Sequence, residues 1–250
     1  MRLSLMTYNI RSCRGADGIV SPARIAAVVA PLRPDVLALQ EVDLDLPRSS
    51  HADQSRVLAE ILKMEYLFHP ALHREKGQYG NAVLSRFPLR LVRGGRLPAR
   101  PGWKPREERG ALWTEVRADG VPVQVINTHL GLGWRERFAQ ASALLGPEWL
   151  GHPDCRAPRI LCGDLNALPF SRVCRMFRRY LRDAQLGRGR AGDRAGWPSR
   201  FPVTRLDYVF TSPGIVVAGA RVPRDPPVSA ASDHLPLYVE LHLPAEALPG

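Results

Sequence analysis

Leu3-Ser4-Leu5-Met6-Thr7-Tyr8-Asn9 alternates as a half-buried strand does and stops on a side-chain amide. A polar loop, Arg11 to Gly18, follows. Ser21-Pro22 then starts a helix, with Ser as N-cap and Pro at the first helical position, where its missing N–H is not needed. The apolar stretch Arg24 to Leu32 continues the helix until Pro34 stops it. Asp35-Val36-Leu37-Ala38-Leu39 reads as a buried strand with Gln40-Glu41 at its end. This is a βαβ unit, and its two parallel strands would bring Asn9 and Glu41 close together. Taken singly, Asn9 is equally a turn-forming amide and Glu41 a solvated loop acid.

The same grammar continues outward. Gln54 to Met64 reads as a helix, and Glu65 to His69 and Gly80 to Arg86 as strands, followed by Leu89 to Arg96. Pro98 to Glu108 is a Pro-rich, charged loop. Arg109 to Val116 and Val121 to Asn127 form a hairpin around Asp119-Gly120, a strong turn dipeptide. Trp134 to Trp149 is a helix, Arg159 to Gly163 a strand delivering Asp164-Leu165-Asn166, and Phe170 to Phe177 a short helix. Gly187 to Pro202 is a basic loop without periodicity. Arg205 to Phe210, Ile215 to Val222 and Leu237 to Leu243 are strands, the last entered through Ser232-Asp233-His234. Helices follow strands in both halves, with hairpins between. The pattern predicts two sheets covered by helices in one domain, residues 1–243, with 244–250 as a frayed tail.

Composition narrows the class. The 250 residues are 45% hydrophobic and 24% charged, ordinary for a globular chain able to bury a core without disulfides. Cys13, Cys155, Cys162 and Cys174 lack metal-type spacing and read as free thiols of a reducing compartment. With no secretory leader and no apolar run long enough to span a bilayer, the expected location is cytoplasmic. The net charge is +11, and of 35 lysines and arginines only Lys63, Lys76 and Lys104 are lysine. Arginine forks suit phosphate, so nucleic acid or an anionic lipid surface is a favoured partner. An Arg-, Ala-, Pro- and Gly-rich chain from a GC-rich genome would carry the same excess.

Chemistry-bearing residues recur at strand ends. Asp233 and His234 are adjacent on an extended loop, so their side chains point different ways and one can touch a metal while the other faces a substrate. Thr7-Tyr8-Asn9, Leu39-Gln40-Glu41, Gly80-Asn81-Ala82-Val83-Leu84-Ser85, Asn127-Thr128-His129-Leu130, Gly163-Asp164-Leu165-Asn166, Leu206-Asp207-Tyr208 and Ser232-Asp233-His234-Leu235-Pro236 occur in this order. The ordered set resembles the endonuclease/exonuclease/phosphatase superfamily of deoxyribonucleases, exonucleases, inositol phosphatases and sphingomyelinases, over about residues 2 to 243. Gly131 to Arg137 and Trp197 to Pro202 are similar to segments of small bacterial members. The resemblance implies a four-layer α/β/β/α sandwich of two mixed sheets, Mg²⁺ or Mn²⁺ dependence, and phosphoester hydrolysis.

Phosphoester cleavage needs charge neutralised on the phosphoryl oxygens, an activated water and a stabilised leaving group. A hard cation takes oxygen ligands, for which Glu41 is the best candidate, supported by Asn9, with Asp233 behind it or on a second ion. Asp164 and Asn166, two apart, would face the same way on an extended chain. By the resemblance, Asp164 positions or deprotonates the attacking water, Asn166 binds it or the oxyanion, and His234 contacts a phosphoryl oxygen. Asp207 would orient and charge His234, as a carboxylate does for a catalytic imidazole. His129 would donate to the phosphate or the leaving oxygen.

Other residues carry open readings. Arg109 is a phosphate contact or an ion-paired edge residue. Asn81 is a substrate-side amide or a buried structural one. His51, His73 and His152 read as solvated, and Cys162 as a small buried residue. Trp103, Trp134 and Trp197 could stack bases or meet a membrane, but packing is the simpler reading. The expected activity is a phosphodiesterase or nuclease. A lipid head-group or small-molecule phosphodiesterase or phosphatase is the alternative, and an inactive phosphate-binding module a remote one. The basic loop from Gly187 to Arg205 would overhang the site and choose the substrate.

Overall fold

The computed structural model describes residues 1–74, 77–99, 107–187 and 191–244. The first half runs β1 (Arg2–Asn9), α1 (Pro22–Val29), β2 (Val36–Leu44), α2 (Gln54–Leu62), β3 (Glu65–Arg74), β4 (Gly77–Ser85) and β5 (Leu89–Arg96). It continues with β6 (Gly110–Ala118), β7 (Val121–His129), α3 (Trp134–Leu145), β8 (Arg159–Asp164) and α4 (Arg172–Arg178). The chain closes with β9 (Arg182–Asp183), β10 (Asp207–Thr211), β11 (Val216–Arg221), α5 (Pro226–Ala231) and β12 (Leu237–His242).

The strands form two six-stranded mixed sheets, ordered β11-β12-β1-β2-β4-β3 and β5-β6-β7-β8-β10-β9. Strand alternation sorts the apolar residues into three layers. Leu3, Leu5, Val36, Ala38, Val123, Val125, Ile160, Cys162 and Val209 lie between the sheets. Met6, Tyr8, Leu37 and Leu39 pack on the other face of the first sheet with Ile25, Leu58 and Val228, from α1, α2 and α5. Trp113, Ile126, Leu161 and Phe210 pack outside the second sheet with Leu144 and Phe177 of α3 and α4. The four-layer α/β/β/α sandwich follows from these facings.

Local signals act as their chemistry dictates. The Ser21 side chain accepts from the Arg24 amide, capping α1 with Pro22 in its first turn. Asp119 (φ 46) and Gly120 (φ 86) make the two-residue turn between β6 and β7. Some bounds differ from the sequence reading. The third helix ends at Leu145 because Gly146 leaves the helical conformation. The β3–β4 hairpin is longer than its apolar centre, since Leu72 and His73 still pair with Tyr79 and Gln78. Arg109 precedes β6 instead of opening it. The short helix α5 and the two-residue strand β9 carry too little pattern to read from sequence. Trp103 and the tail beyond residue 244 lie outside the described residues. All four cysteines are buried and unpaired in disulfides.

Candidate active site

The C-terminal ends of β1, β2, β7 and β8 and the N-terminal ends of β10 and β12 meet at one edge of the sandwich. Alternation carries inward-facing positions past the apolar layer to this edge. Leu3 and Leu5 lead to Asn9, Val123 and Val125 to His129, Ile160 and Cys162 to Asp164, and Val209 back to Asp207. Parallel β7 and β8 place His129 opposite Asp164, and antiparallel β8 and β10 place Asp164 opposite Asp207. This packing needs Gly163 (φ 134), where an added Cβ would stand 1.8 Å from the Thr128 carbonyl oxygen.

Glu41 reaches the edge by a different device. Strict alternation would aim it beneath the helices with Leu37 and Leu39. Instead β2 carries a bulge between Leu39 and Val42, where Glu41 adopts φ 58. Val42 takes the helix-facing position, and Glu41 turns toward β1. A non-glycine residue in this conformation is strained by roughly 1–2 kcal/mol, and such strain is typical of functional sites. Asn9 Nδ2 donates to Glu41 Oε1 at 2.9 Å and to Asp164 Oδ2 at 3.1 Å. Its Oδ1 accepts from the Arg11 amide at 3.1 Å. Asn9 therefore meets Glu41, as the parallel pairing of β1 and β2 predicts, and also ties it to Asp164 of the other sheet. Asn9 also closes a turn with Arg11, as the simpler reading expects, while Glu41 is half-buried instead of being a solvated loop acid.

Asp233 and His234 diverge as adjacent residues on an extended loop do. Asp233 faces Arg11, with 3.7 Å between Oδ2 and Nε. His234 is buried, with Nδ1 2.9 Å from Asp207 Oδ2 and Nε2 3.7 Å from Asp164 Oδ2. Burial pulls the His234 pKa down, but Asp207 and Asp164 together outweigh it and raise it. Burial also raises the Asp164 carboxyl; His234 opposes this and Asp207 adds to it. Burial raises Glu41 too, with the Asn9 bond opposing and the Asp233 charge adding.

Asn166 departs from the extended-chain expectation. It adopts φ 48, and its amide N–H donates to Asp164 Oδ1 at 2.8 Å, closing a tight turn. Its Nδ2 lies 2.9 Å from the Leu130 carbonyl and 3.0 Å from His129 Nε2. Asp164 and Asn166 still flank His129, through the turn and not through strand periodicity. His129 Nδ1 lies 3.2 Å from Arg109 Nη1, a donor only. Nε2 in turn lies 3.4 Å from Asp164 Oδ2 as well as beside Asn166 Nδ2, so it faces one acceptor and one donor. Burial, then the charges of Arg109 and His234, hold the His129 pKa well below the usual value.

Both residues expected at substrate phosphate have protein partners, although the buried Arg109 Nε has none. Arg109 is buried against His129 and pairs with Glu107 at 3.1 Å. Asn81 donates to the Gly110 carbonyl at 2.9 Å, tying β4 to β6. Sequence reasoning left roles for Gln40 and Asn127 unassigned, although both stand inside quoted motifs. Their amides meet at 2.7 Å between the sheets. Trp134 and Trp197 do not pack in a core: they are 61% and 38% exposed. His152 is half-buried and meets Trp113 edge-on, with ring centroids 5.4 Å apart.

Residues 6–234 match the Endonuclease/Exonuclease/phosphatase family. The chain belongs to that family. It is 26% identical over 221 residues to uncharacterized protein YbhP of Escherichia coli K12, covering 84% of this chain and 83% of YbhP. It is similar to the structure of an endonuclease/exonuclease/phosphatase from Beutenbergia cavernae, at 28% identity and TM-score 0.74, covering 97% of this chain and 72% of that one. The Bacteroides thetaiotaomicron mannosyl-6-phosphatase Bt3783 shares the fold, at 22% identity and TM-score 0.74, covering 96% of this chain and 100% of that one. Members of the endonuclease/exonuclease/phosphatase family are generally phosphoester hydrolases that use divalent metals. Asp164, Asp207 and His234 form a buried group whose ligand atoms lie within 4.8 Å of one another and could hold a metal. No described helix is long and apolar enough to cross a membrane.

Proposed function

We propose that the protein is a divalent-cation-dependent phosphodiesterase that directs water onto phosphorus, with residues 1–243 acting as one catalytic domain. The observation that carries this reading is the meeting of Asp164 with Asn9, His129 and His234 at one strand edge, each within 3.7 Å of the same carboxylate oxygen.

Two donor sets compete for the cation. Asp164, Asp207 and His234 are close enough, but the two carboxylates raise the His234 pKa and Asp207 already holds its Nδ1, so a metal there would have to displace a proton. Glu41 and Asp233 offer hard carboxylate oxygens, and Asn9 supports the set by holding Glu41 through its Nδ2. Glu41 is held toward them at a cost in backbone strain, and burial beside Asp233 leaves it short of positive charge. This second set fits Mg²⁺ or Mn²⁺ better. Bound there, the ion would neutralise charge on the phosphoryl oxygens.

Protein groups do the rest. Asp164 holds the attacking water and takes its proton, because its raised pKa makes it a stronger base than an exposed carboxylate. Asn166 shapes this pocket and orients the water. His234, kept cationic by Asp207, donates from Nε2 to a phosphoryl oxygen. His129 donates toward the phosphate or the leaving oxygen. Arg109 acts on substrate through His129, against whose Nδ1 it is held. Turnover of a chromogenic phosphodiester with Mg²⁺ or Mn²⁺, abolished by EDTA and by Asp164→Asn, tests the assignment. A nucleic acid or a lipid headgroup would supply such a bond. Aliphatic side chains exposed around the site favour the lipid, whereas the arginine excess suits either.

A further inference from the structure

Three segments leave the active-site edge and carry unburied apolar side chains. Leu132 and Trp134 follow His129, Leu168 and Phe170 follow Asn166, and Phe201 and Val203 sit on the loop before Asp207. Phe170, Phe201 and Val203 are 72%, 77% and 80% exposed. The last loop is a pinned feature of the site. Trp197 bridges to Thr204, the Ser199 amide donates to the Asp233 carbonyl at 2.8 Å, and the Leu235 amide donates to the Gly196 carbonyl at 2.8 Å. Its backbone is thus fastened to both sides of His234 while Phe201 and Val203 stand in solvent. Arg137 Nη1 donates to the Leu132 carbonyl at 2.5 Å and steadies the first segment.

Arginine surrounds these side chains. Residues 130–138, 165–179 and 196–206 contain eight arginines against one acid, Glu136. Arg178 and Arg205 are held by buried Asp183. Arg172, Arg175 and Arg200 are exposed. Arg172 and Arg175 help line an open groove of about 700 Å³ beside Phe138. Scattered apolar exposure is ordinary, but a cluster rimmed by one sign of charge marks an interaction surface.

We infer that this rim docks on the surface of a bilayer containing anionic phospholipid, inserting Leu132, Trp134, Leu168, Phe170, Phe201 and Val203 to headgroup depth. The inference rests on the phosphodiesterase reading for what the rim delivers, but not for the docking itself. Aliphatic side chains decide between a membrane and a single-stranded nucleic acid. Bases gain by stacking on aromatic planes, which Leu132, Leu168 and Val203 lack. A headgroup layer accepts aliphatic and aromatic side chains alike, and arginine stems lie along it with their charge at the phosphates.

The test is flotation of the full chain with vesicles of equal phosphatidylcholine and phosphatidylglycerol, beside pure phosphatidylcholine. Wild type binds the anionic vesicles and not the neutral ones. Phe201→Ser with Val203→Ser lowers that binding at least tenfold, and Arg172→Glu with Arg175→Glu lowers it as well, while turnover of a soluble chromogenic phosphodiester stays within twofold. Asp164→Asn binds vesicles like wild type, so failure of the catalytic reading is scored separately. Absence of vesicle binding by wild type, or equal binding by the Phe201/Val203 variant, overturns the inference. So does a rim variant that loses affinity for a single-stranded oligonucleotide when vesicles are ignored.

Discussion

Gln40 Nε2 donates to Asn127 Oδ1 at 2.7 Å, joining side chains of the two sheets beneath the site. Asn127 gives its own hydrogens to the Leu39 and Ala82 carbonyls at 2.8 and 2.9 Å, while Gln40 also reaches Thr7 Oγ1 at 3.0 Å. β1, β2, β4 and β7 are thereby held in one buried polar unit. Asn127→Ala removes three buried hydrogen bonds and takes this donor from the Leu39 and Ala82 carbonyls. It should lower unfolding stability by about 2–4 kcal/mol, read from urea denaturation. A loss below about 0.5 kcal/mol, no more than an ordinary surface substitution, contradicts the sheet-joining role.

His234 owes its charge to its carboxylate neighbours. With Asp207→Asn, burial faces less opposition and the imidazole pKa falls, by about one unit or more. The imidazolium is then lost at lower pH, so the alkaline limb of the activity profile moves toward acid. Turnover at neutral pH should drop about 100-fold. An unchanged His234 titration by NMR, with an unchanged profile, would show that the pair does not act as described.

The strained conformation at Glu41 separates function from stability. Glu41→Gly removes a left-handed non-glycine residue and a buried carboxylate at the expense of the bond from Asn9. The variant should melt no lower than wild type while losing most metal-dependent turnover. Glu41→Gln, which keeps the strain, should lose turnover without the thermal gain. A melting temperature more than about 5 °C below wild type for the Gly variant would mean that the bulge is not under strain; that drop corresponds to about 1–2 kcal/mol.

Much of this was legible because strand alternation is a strict rule. Asn9, His129, Asp164 and Asp207 each extend an inward-facing apolar series, so their convergence follows once the strands are paired. The adjacency of Asn9 and Glu41 follows from the βαβ opening. What stayed hidden depends on local exceptions or on contacts between sheets. The bulge at Glu41 and the left-handed turn at Asn166 break the period on which the reading rests. The Gln40–Asn127 bond and the Arg109–His129 contact join residues 87 and 20 apart in the chain, and neither has a local signature. Trp134 and Trp197 looked like packing residues because composition says nothing about which side of a loop faces water.

The cysteines offer a check on the bland side of the account. All four are buried, and burial raises the Cys13 and Cys162 thiols far above their usual range and Cys155 to about 11. At pH 8 the native protein should release almost no colour from a thiol-reactive disulfide reagent, and four equivalents after denaturation. Rapid reaction of Cys162 in the native state would reopen the question of a nucleophile beside Asp164.

The most direct test of the central claim is turnover of a soluble chromogenic phosphodiester as Mg²⁺ or Mn²⁺ is titrated, with wild type beside Asp164→Asn and Glu41→Gln. The account predicts saturable, cation-dependent hydrolysis that Asp164→Asn nearly abolishes although it folds, and that Glu41→Gln retains weakly with a cation requirement raised at least about tenfold. Hydrolysis that persists in Asp164→Asn, or that is indifferent to EDTA in wild type, would contradict it.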